Sequence, residues 1–179
     1  MRRPMNRPAT LESPAPPVEK ITRLESDMID IFVRIARLFG VSKSVGEIYG
    51  LLFISAAPVS LDYIRAKLNL SSGSASQGLR LLRSVGAVNV TFVPGDRRGH
   101  FRAETALHKI TTGFLRERVL PDLMVHEEQL QRLTGQLDEV PTGYRRHIET
   151  RIQLLQTWRS QARAVLLIVM GGLETSIQL

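Results

Sequence analysis

Between Ser44 and Ala103 the sequence runs through three short helical patterns and straight into one hairpin pattern, an order that few folds accept. Gly86 to Val93 reads Gly-Ala-Val-Asn-Val-Thr-Phe-Val, alternating and rich in β-branched residues, which predicts a strand. Pro94, Gly95 and Asp96 supply a turn, Arg97, Arg98 and Gly99 extend the loop, and His100 to Ala103 can return as a second strand. Upstream, Ser44 is placed to cap a helix, with Glu47 completing a capping box and Ile48, Leu51, Leu52 and Ile54 forming its buried side. Pro58 stops that helix, and Ser60 opens a short one carrying Leu61, Ile64 and Leu68. After Asn69 and Leu70, the serines at 71 and 72 offer a cap for a helix over Gly73–Ser84 that buries Ala75, Leu79 and Leu82. Gly86 terminates it.

Two short helices joined by a tight connection and followed by a third form the helix-turn-helix plan, whose last helix enters the DNA major groove. A hairpin directly after that helix is a wing, and this one carries two adjacent arginines at its tip. The charge is distributed to match. Of the formal net charge of +7, a balance of +5 lies between Asp62 and Arg102 (Arg65, Lys67, Arg80, Arg83, Arg97, Arg98 and Arg102 against Asp62 and Asp96). A further +2 lies in the first twenty residues, and the rest of the chain sums to zero. A positive field confined to about forty residues suits a surface that meets a polyanion. The bland alternative for the same residues is a solvated, solubilising face. On that view the chain is a winged-helix adapter for other proteins, without sequence-specific DNA binding.

The flanks read as an arm and a scaffold. Five of the nine prolines fall in the first seventeen residues, which predicts a disordered basic arm over residues 1–18. From Val18 to Phe39 apolar residues recur at Ile21, Leu24, Met28, Ile31, Phe32, Ile35 and Leu38, one stripe along a helix that Gly40 ends. A helix from Glu104 carries Leu107, Ile110, Phe114 and Leu115 toward Pro121, which kinks or interrupts it. Leu123, Leu130 and Leu137 follow at sevenfold spacing with Leu133 between them, and Gly135 with Asp138 to Thr142 suggests a turn. The last helix starts near Pro141, with a stripe of Tyr144, Ile148, Ile152, Leu155, Trp158, Ala162, Leu166, Val169 and Leu173. At about 1.5 Å per residue it is roughly 50 Å long, too long for one small domain to cover. A second copy of the chain around a twofold axis would cover it. The expected organisation is therefore mainly α with a small β-wing: an arm over 1–18, a winged helix-turn-helix with its leading helix over 19–104, and a helical dimerisation region over 105–179.

Other classes fare poorly. The chain has no cysteine, so it has no disulfide scaffold, thiolate nucleophile or cysteine-ligated metal, in keeping with a reducing cytoplasm. The longest apolar run, Ala164 to Met170, is too short to span a membrane, and Arg2 and Arg3 are followed by Pro4, Asn6, Pro8 and Glu12 rather than a secretory apolar core. His100, His108, His126 and His147 show no metal-ligand spacing, and no phosphate-binding or dinucleotide fingerprint is present. Neither an enzyme nor a cofactor is expected.

Two stretches carry a family resemblance. Ser44 to Phe53, Ser-Val-Gly-Glu-Ile-Tyr-Gly-Leu-Leu-Phe, and Leu70 to Val88, which contains Gly-Ser-Ala-Ser-Gln-Gly-Leu-Arg-Leu-Leu, resemble the winged-helix core of MarR-type regulators. They are more specifically similar to the GbsR-like branch, and Pro94 to Glu104 fits its wing. The resemblance covers residues 20 to about 134 and implies a homodimeric, operator-binding transcription factor, usually a repressor relieved by a small ligand.

The residues themselves allow that chemistry. The helix over 73–84 leaves Ser72, Ser74, Gln77 and Gly78 opposite its buried side, with Arg80 further along. Gln77 can pair bidentately with adenine N6 and N7, and serine hydroxyls with free helix-start amides can hold phosphate. Arg80 and Arg83 reach toward the backbone, while Arg97 and Arg98 track phosphates or enter the minor groove, reinforced by Arg102. Asp96 orients an arginine or closes the turn. The GbsR-like branch is named for a choline-responsive regulator, and aromatic rings bind quaternary ammonium groups. Trp158, the one tryptophan, is therefore the candidate effector contact, although its place on the apolar stripe equally suits core packing.

Overall fold

The computed structural model describes residues 21–175, with the side chains of residues 124–127, 174 and 175 left out. The arm expected over residues 1–18 and the side chain of His126 lie outside the described residues. Among those described, the order is α1 (Arg23–Leu38), α2 (Lys43–Ile54), β1 (Val59–Ser60), α3 (Leu61–Leu68), α4 (Ser72–Ser84), β2 (Val88–Phe92) and β3 (Gly99–Ala103). There follow α5 (Leu107–Phe114), a π-helical turn (Leu115–Val119), α6 (Leu120–Gly135), a 3-10 turn (Leu137–Glu139) and α7 (Thr142–Thr175).

Helix α1 starts on a capping box. The Glu25 amide donates to the Thr22 hydroxyl at 3.2 Å, and the Thr22 amide donates to Glu25 Oε2 at 2.7 Å. The same carboxylate faces Lys67 of α3 at 3.5 Å, and that lysine side chain is only 4% exposed. The Thr22 amide above all, helped by the Thr22 hydroxyl and the Lys67 charge, holds the Glu25 carboxyl below the usual carboxylate range, against an opposing push from burial that is second in size to the amide. At the other end Gly40 takes φ +65°, the left-handed conformation expected of it.

The face α1 buries is not the one expected. Ile29, Val33 and Ala36 turn inward, whereas Ile31 is 52% and Leu38 85% exposed, with Leu24 and Ile35 also outside. Helix α1 is apolar on more than one side, and α2 takes the narrower side because its backbone approaches closely there. A Cβ on Gly46 would stand 2.7 Å from both Phe32 O and Val33 Cα.

In α2 the cap also shifts. Ser42, not Ser44, occupies the N-cap position, and no capping box forms. Ser44 sits inside the first turn with its hydroxyl 2.9 Å from that of Ser42, and Glu47 instead pairs with Lys43 at 2.9 Å. Ile48, Leu51 and Leu52 of α2 and Ile64 of α3 are the largest fully buried side chains, each contributing about 1.5–3 kcal/mol through burial. Leu79, Leu82, Val85, Val88 and Ala103 close the same core from α4 and the hairpin.

The sheet has three antiparallel strands in the order β1-β3-β2. The expected hairpin pairs Val88 with Ala103, Val90 with Phe101 and Phe92 with Gly99. Strand β1, two residues long, adds Val59 opposite Phe101 and Ser60 opposite His100, so the wing is stitched to the segment that leads into α3.

The helix expected from Glu104 starts at Leu107 instead. Glu104 folds back to accept the amides of Thr105 and Ala106, both at 3.0 Å, and those bonds hold its own carboxyl below the usual range. Pro121 does not break the helical run, which continues without a gap from α5 through the π-helical turn into α6; the widened turn over Leu115–Val119 lies just before Pro121, which stands at the start of α6. Helix α7, 34 residues and so about 51 Å, buries Ile152, Leu166 and Met170. Of the rest of its apolar stripe, Tyr144, Ile148, Leu155, Trp158, Ala162 and Val169 are exposed and Leu173 is half-buried. Among the described residues no helix is long and apolar enough to cross a membrane.

Candidate nucleic-acid interface

Helix α4 is built with one apolar side and one small, polar side. Ser71 is its N-cap: the Ser74 amide donates to the Ser71 hydroxyl at 3.1 Å, and that hydroxyl donates to Ser74 Oγ at 2.9 Å. Ser72 is therefore free of capping duty and exposed, whereas Ser74 is half-buried and already engaged. Ala75, Leu79 and Leu82 are buried as expected, while Gln77, Arg80 and Arg83 face solvent. Gly78 departs from expectation. It is buried, and a Cβ there would lie 2.5 Å from Ile48 Cδ1. Its lack of a side chain serves the close packing of α4 on α2, not an approach to a groove floor.

Arg80, Arg83, Arg97 and Arg102 are all exposed, and none has an ion-pair partner among the described residues. Four uncompensated guanidinium groups on one helix and the hairpin that follows it leave the positive field of this region unscreened by the protein itself.

Arg98 differs from its neighbour. Its Nε donates to Asp96 Oδ1 and Oδ2 at 3.0 and 3.1 Å, and its Nη2 donates to Oδ2 at 2.7 Å. The Arg98 amide also donates to Asp96 Oδ1 at 3.0 Å, so Asp96 both orients the arginine and closes the turn. The side-chain bonds from Arg98, then its backbone bond, hold the Asp96 carboxyl far below the usual range, and the pair raises the Arg98 guanidinium in turn. The turn itself has Gly95 at φ +87° and the Asp96 amide donating to Val93 O at 3.1 Å. Sequence reading missed a second partner: Asp62 of α3 lies 3.8 Å from Arg98 Nη1 and 3.5 Å from Arg65 Nη1. Only the tertiary fold brings Asp62 and Arg98 together, so no local pattern announces the contact.

Two hollows lie away from this surface. One, of about 220 Å³, is walled by Phe32 and Phe39 of α1, Tyr49 of α2, Leu82 and Val85 at the end of α4, and Phe114 of α5. Tyr49 donates its hydroxyl to Glu104 O at 2.7 Å, and burial followed by the Glu104 charge raises its phenol. The other, about 440 Å³ and more open, lies between α6 and α7 and is lined by Trp158 together with Leu130, Leu133, Leu155 and Arg159. The ring–ring contacts among the described residues join Phe32, Phe39, Tyr49, Phe53 and Phe114, and none involves Trp158. Among the described residues no group of three His, Asp or Glu side chains could hold a metal ion.

No protein-family model matches the chain. Its sequence is similar to the HTH-type transcriptional repressor GbsR of Bacillus subtilis (strain 168), 28% identical over 113 residues. That match covers 63% of this chain and 62% of GbsR, so it spans less than two thirds of the relative. Its fold is similar to a solved structure described as a transcriptional regulator, with a TM-score of 0.58 at 19% identity, covering 87% of this chain and 99% of the other. The likeness in fold agrees with the helix order, the capped α4 and the three-stranded wing: the chain has a winged helix-turn-helix fold, and over 113 residues its sequence is similar to that of GbsR.

Proposed function

We propose that this protein is a DNA-binding transcriptional regulator, a homodimeric repressor that binds a palindromic operator and is released by a small-molecule effector. The observation that carries the reading is the row of exposed, unpaired arginines beside the small, polar side of α4. Within it Gln77 reads a base edge, and Ser72, Ser74 and the helix-start amides hold phosphate. Arg80, Arg83, Arg97 and Arg102 neutralise backbone charge, and Arg98 completes the wing. The similar repressor from Bacillus subtilis supports the same assignment.

Residues 19–104 form the DNA-binding part in this reading and residues 105–179 the pairing part. The apolar surface of α7, where Trp158 is 57% and Ile168 74% exposed, is more than a lone chain keeps in water, as is the outer side of α1. A second copy covers both, and its symmetry makes the operator palindromic. For the effector, the hollow behind α4 is the better placed, since Leu82 and Val85 form part of its wall. Its volume exceeds the ~150 Å³ of an apolar cavity that admits benzene. Trp158 lines the second hollow, and quenching of its fluorescence would report a ligand there; absence of quenching together with an unchanged operator affinity in Trp158→Ala would remove it as a contact.

Fluorescence anisotropy with duplex DNA tests the reading. A palindromic operator should bind at least ~10³-fold more tightly than random duplex, with log affinity falling by about 0.9 per log unit of salt for each phosphate neutralised. Equal, weak binding to every duplex overturns it and leaves the protein-adapter alternative.

A further inference from the structure

Helix α1 runs from α5 to the end of the domain where α4 starts. At the C-terminal end of α1, Phe39 meets Phe114 of α5 with ring centroids 5.0 Å apart. Further back, Val33 lies against Gly46 of α2 and Ile29 against Gly50, so the two helices are antiparallel. The start of α1 therefore sits beside the end of α2 that leads into β1 and the sheet. Three features fix that start. Ile21 packs against the hydrophobic core, the Thr22–Glu25 capping box closes the first turn, and Glu25 faces the buried side chain of Lys67 in the last turn of α3. Just beyond Lys67 the chain turns at Asn69, with φ +51°, and two residues later Ser71 caps α4. The chain before Ile21 thus joins the domain at the turn between α3 and α4, beside the N-terminus of α4. The wing meets the other end of α3, at Asp62.

We propose that residues 1–20 are a second DNA-contacting element, which lays Arg2, Arg3 and Arg7 in the minor groove beside the major-groove segment that α4 occupies. The inference rests on the DNA-binding reading above. The three arginines precede the first acidic residue, Glu12, so the far end of the segment is purely basic. The charge continues onto the domain at Arg23. That residue is exposed, has no ion-pair partner among the described residues, and stands in the first turn of α1, where a helix disfavours a cation and a nearby phosphate would offset the cost. Fourteen residues separate Arg7 from Ile21 and can span up to about 46 Å. Neighbouring major and minor grooves lie about half a helical turn, or ~17 Å, apart, so the arginines reach. Their chemistry suits the minor groove. A guanidinium is more weakly hydrated than an ammonium, and narrow A·T grooves concentrate negative potential that draws arginine in. Pro4 and Pro8 fix φ near −65°, which reduces the entropy lost when the segment is laid along the groove. The segment would add discrimination between A·T and G·C pairs to the base reading assigned to Gln77.

The test uses the full chain and an operator duplex selected by it, with affinity measured across salt. Replacing Arg2, Arg3 and Arg7 together by alanine should weaken operator binding and lower the slope of log affinity on log salt by about 0.9 for each arginine, about 2.7 per protomer. Thermal melting of that variant should coincide with wild type. Replacing the same three by lysine should keep the slope but blunt the preference for A·T pairs beside the half-site, because the charge remains and the weakly hydrated fork does not. Base substitution locates the contact. Changing those A·T pairs to G·C, which places an amino group in the minor groove, should weaken wild-type binding. Changing them to inosine·C, which lacks that group, should not. The alanine variant should respond to neither change. Unchanged slope and affinity in the alanine variant, or equal losses with G·C and inosine·C in wild type, each overturn the proposal. In both cases the protein still selects its operator through α4 and the wing, so the DNA-binding reading stands. A wild-type protein that prefers no duplex overturns that reading, and the proposal with it.

Discussion

Replacing Gly113 by alanine should damage both stability and the setting of α4. Gly113 lies on α5 where that helix crosses the end of α4, and a Cβ there would stand 2.1 Å from Val85 O and 2.8 Å from Val85 C. Ordinary contact begins at 3.4 Å, so the two backbones would have to part by about 1.3 Å. The obstacle is backbone, and no rotamer relieves it. Overpacking of this kind costs about 3 kcal/mol, at the upper end of its usual range. Alanine's better helix propensity returns about 1 kcal/mol, leaving a net loss of about 2 kcal/mol. In a chain of this size that lowers Tm by about 4–8 °C. Val85 caps α4 and lines the hollow behind it, so the displacement should also weaken operator binding while leaving Gln77 and the arginines intact. Gly143, with nothing within 4 Å of its would-be Cβ, is the control: Gly143→Ala should leave Tm unchanged or slightly raised. Calorimetry at one fixed protein concentration measures both. A Gly113→Ala protein as stable as wild type, with full operator affinity, would refute the claim that α5 is locked against the end of α4.

Other perturbations separate stability from recognition. Ser71→Ala should cost about 1 kcal/mol in urea denaturation through loss of the α4 cap, while Ser71→Asp should keep the cap and still weaken DNA binding by repelling phosphate. Gln77→Ala should cost about 1–3 kcal/mol at one base pair of each half-site and leave binding to random duplex unchanged, as read by anisotropy on a set of mutated operators. For acid stability, the folded Glu25 carboxyl lies below its ordinary value of 4.5, so its contribution is present above that value and lost as pH falls through the lower folded one. The difference in urea midpoint between wild type and Glu25→Gln should therefore hold steady from pH 7 to about 5 and close on further acidification; a difference that closes above pH 5 contradicts the assignment.

Much of the fold was legible because its signals are local. The alternation from Val88 to Phe92, the turn at Pro94 to Asp96, the caps at Ser60 and Ser71 and the left-handed Gly40 each depend on residues within a few positions of one another. The errors arose where local signals were degenerate or absent. Ser42 and Ser44 both satisfy a cap pattern, and the pairing of Lys43 with Glu47 accompanies the earlier one. Periodicity located apolar residues along α1 but could not tell the side that meets α2 from the side left outside, because both are apolar. The burial of Gly78 under Ile48 and the approach of Asp62 to Arg98 join elements distant in sequence, and a single chain offers no local trace of either. The exposed side chains of the proposed interface were readable, since Gln77, Arg80, Arg83, Arg97 and Arg102 needed only the helix period and the position of the hairpin to be placed outside.

Selection from a library of random duplexes measures the central claim most directly. The protein is incubated with the library at physiological salt, bound DNA is recovered and amplified over several rounds, and the enriched sequences are read. Two copies of α4 related by a twofold axis should enrich one inverted repeat, with half-sites centred about 10–10.5 base pairs apart or a multiple of that. Gln77→Ala should erase the preference at one position in each half-site. Recovery of sequences with no common motif, or of a motif lacking twofold symmetry, would contradict the account.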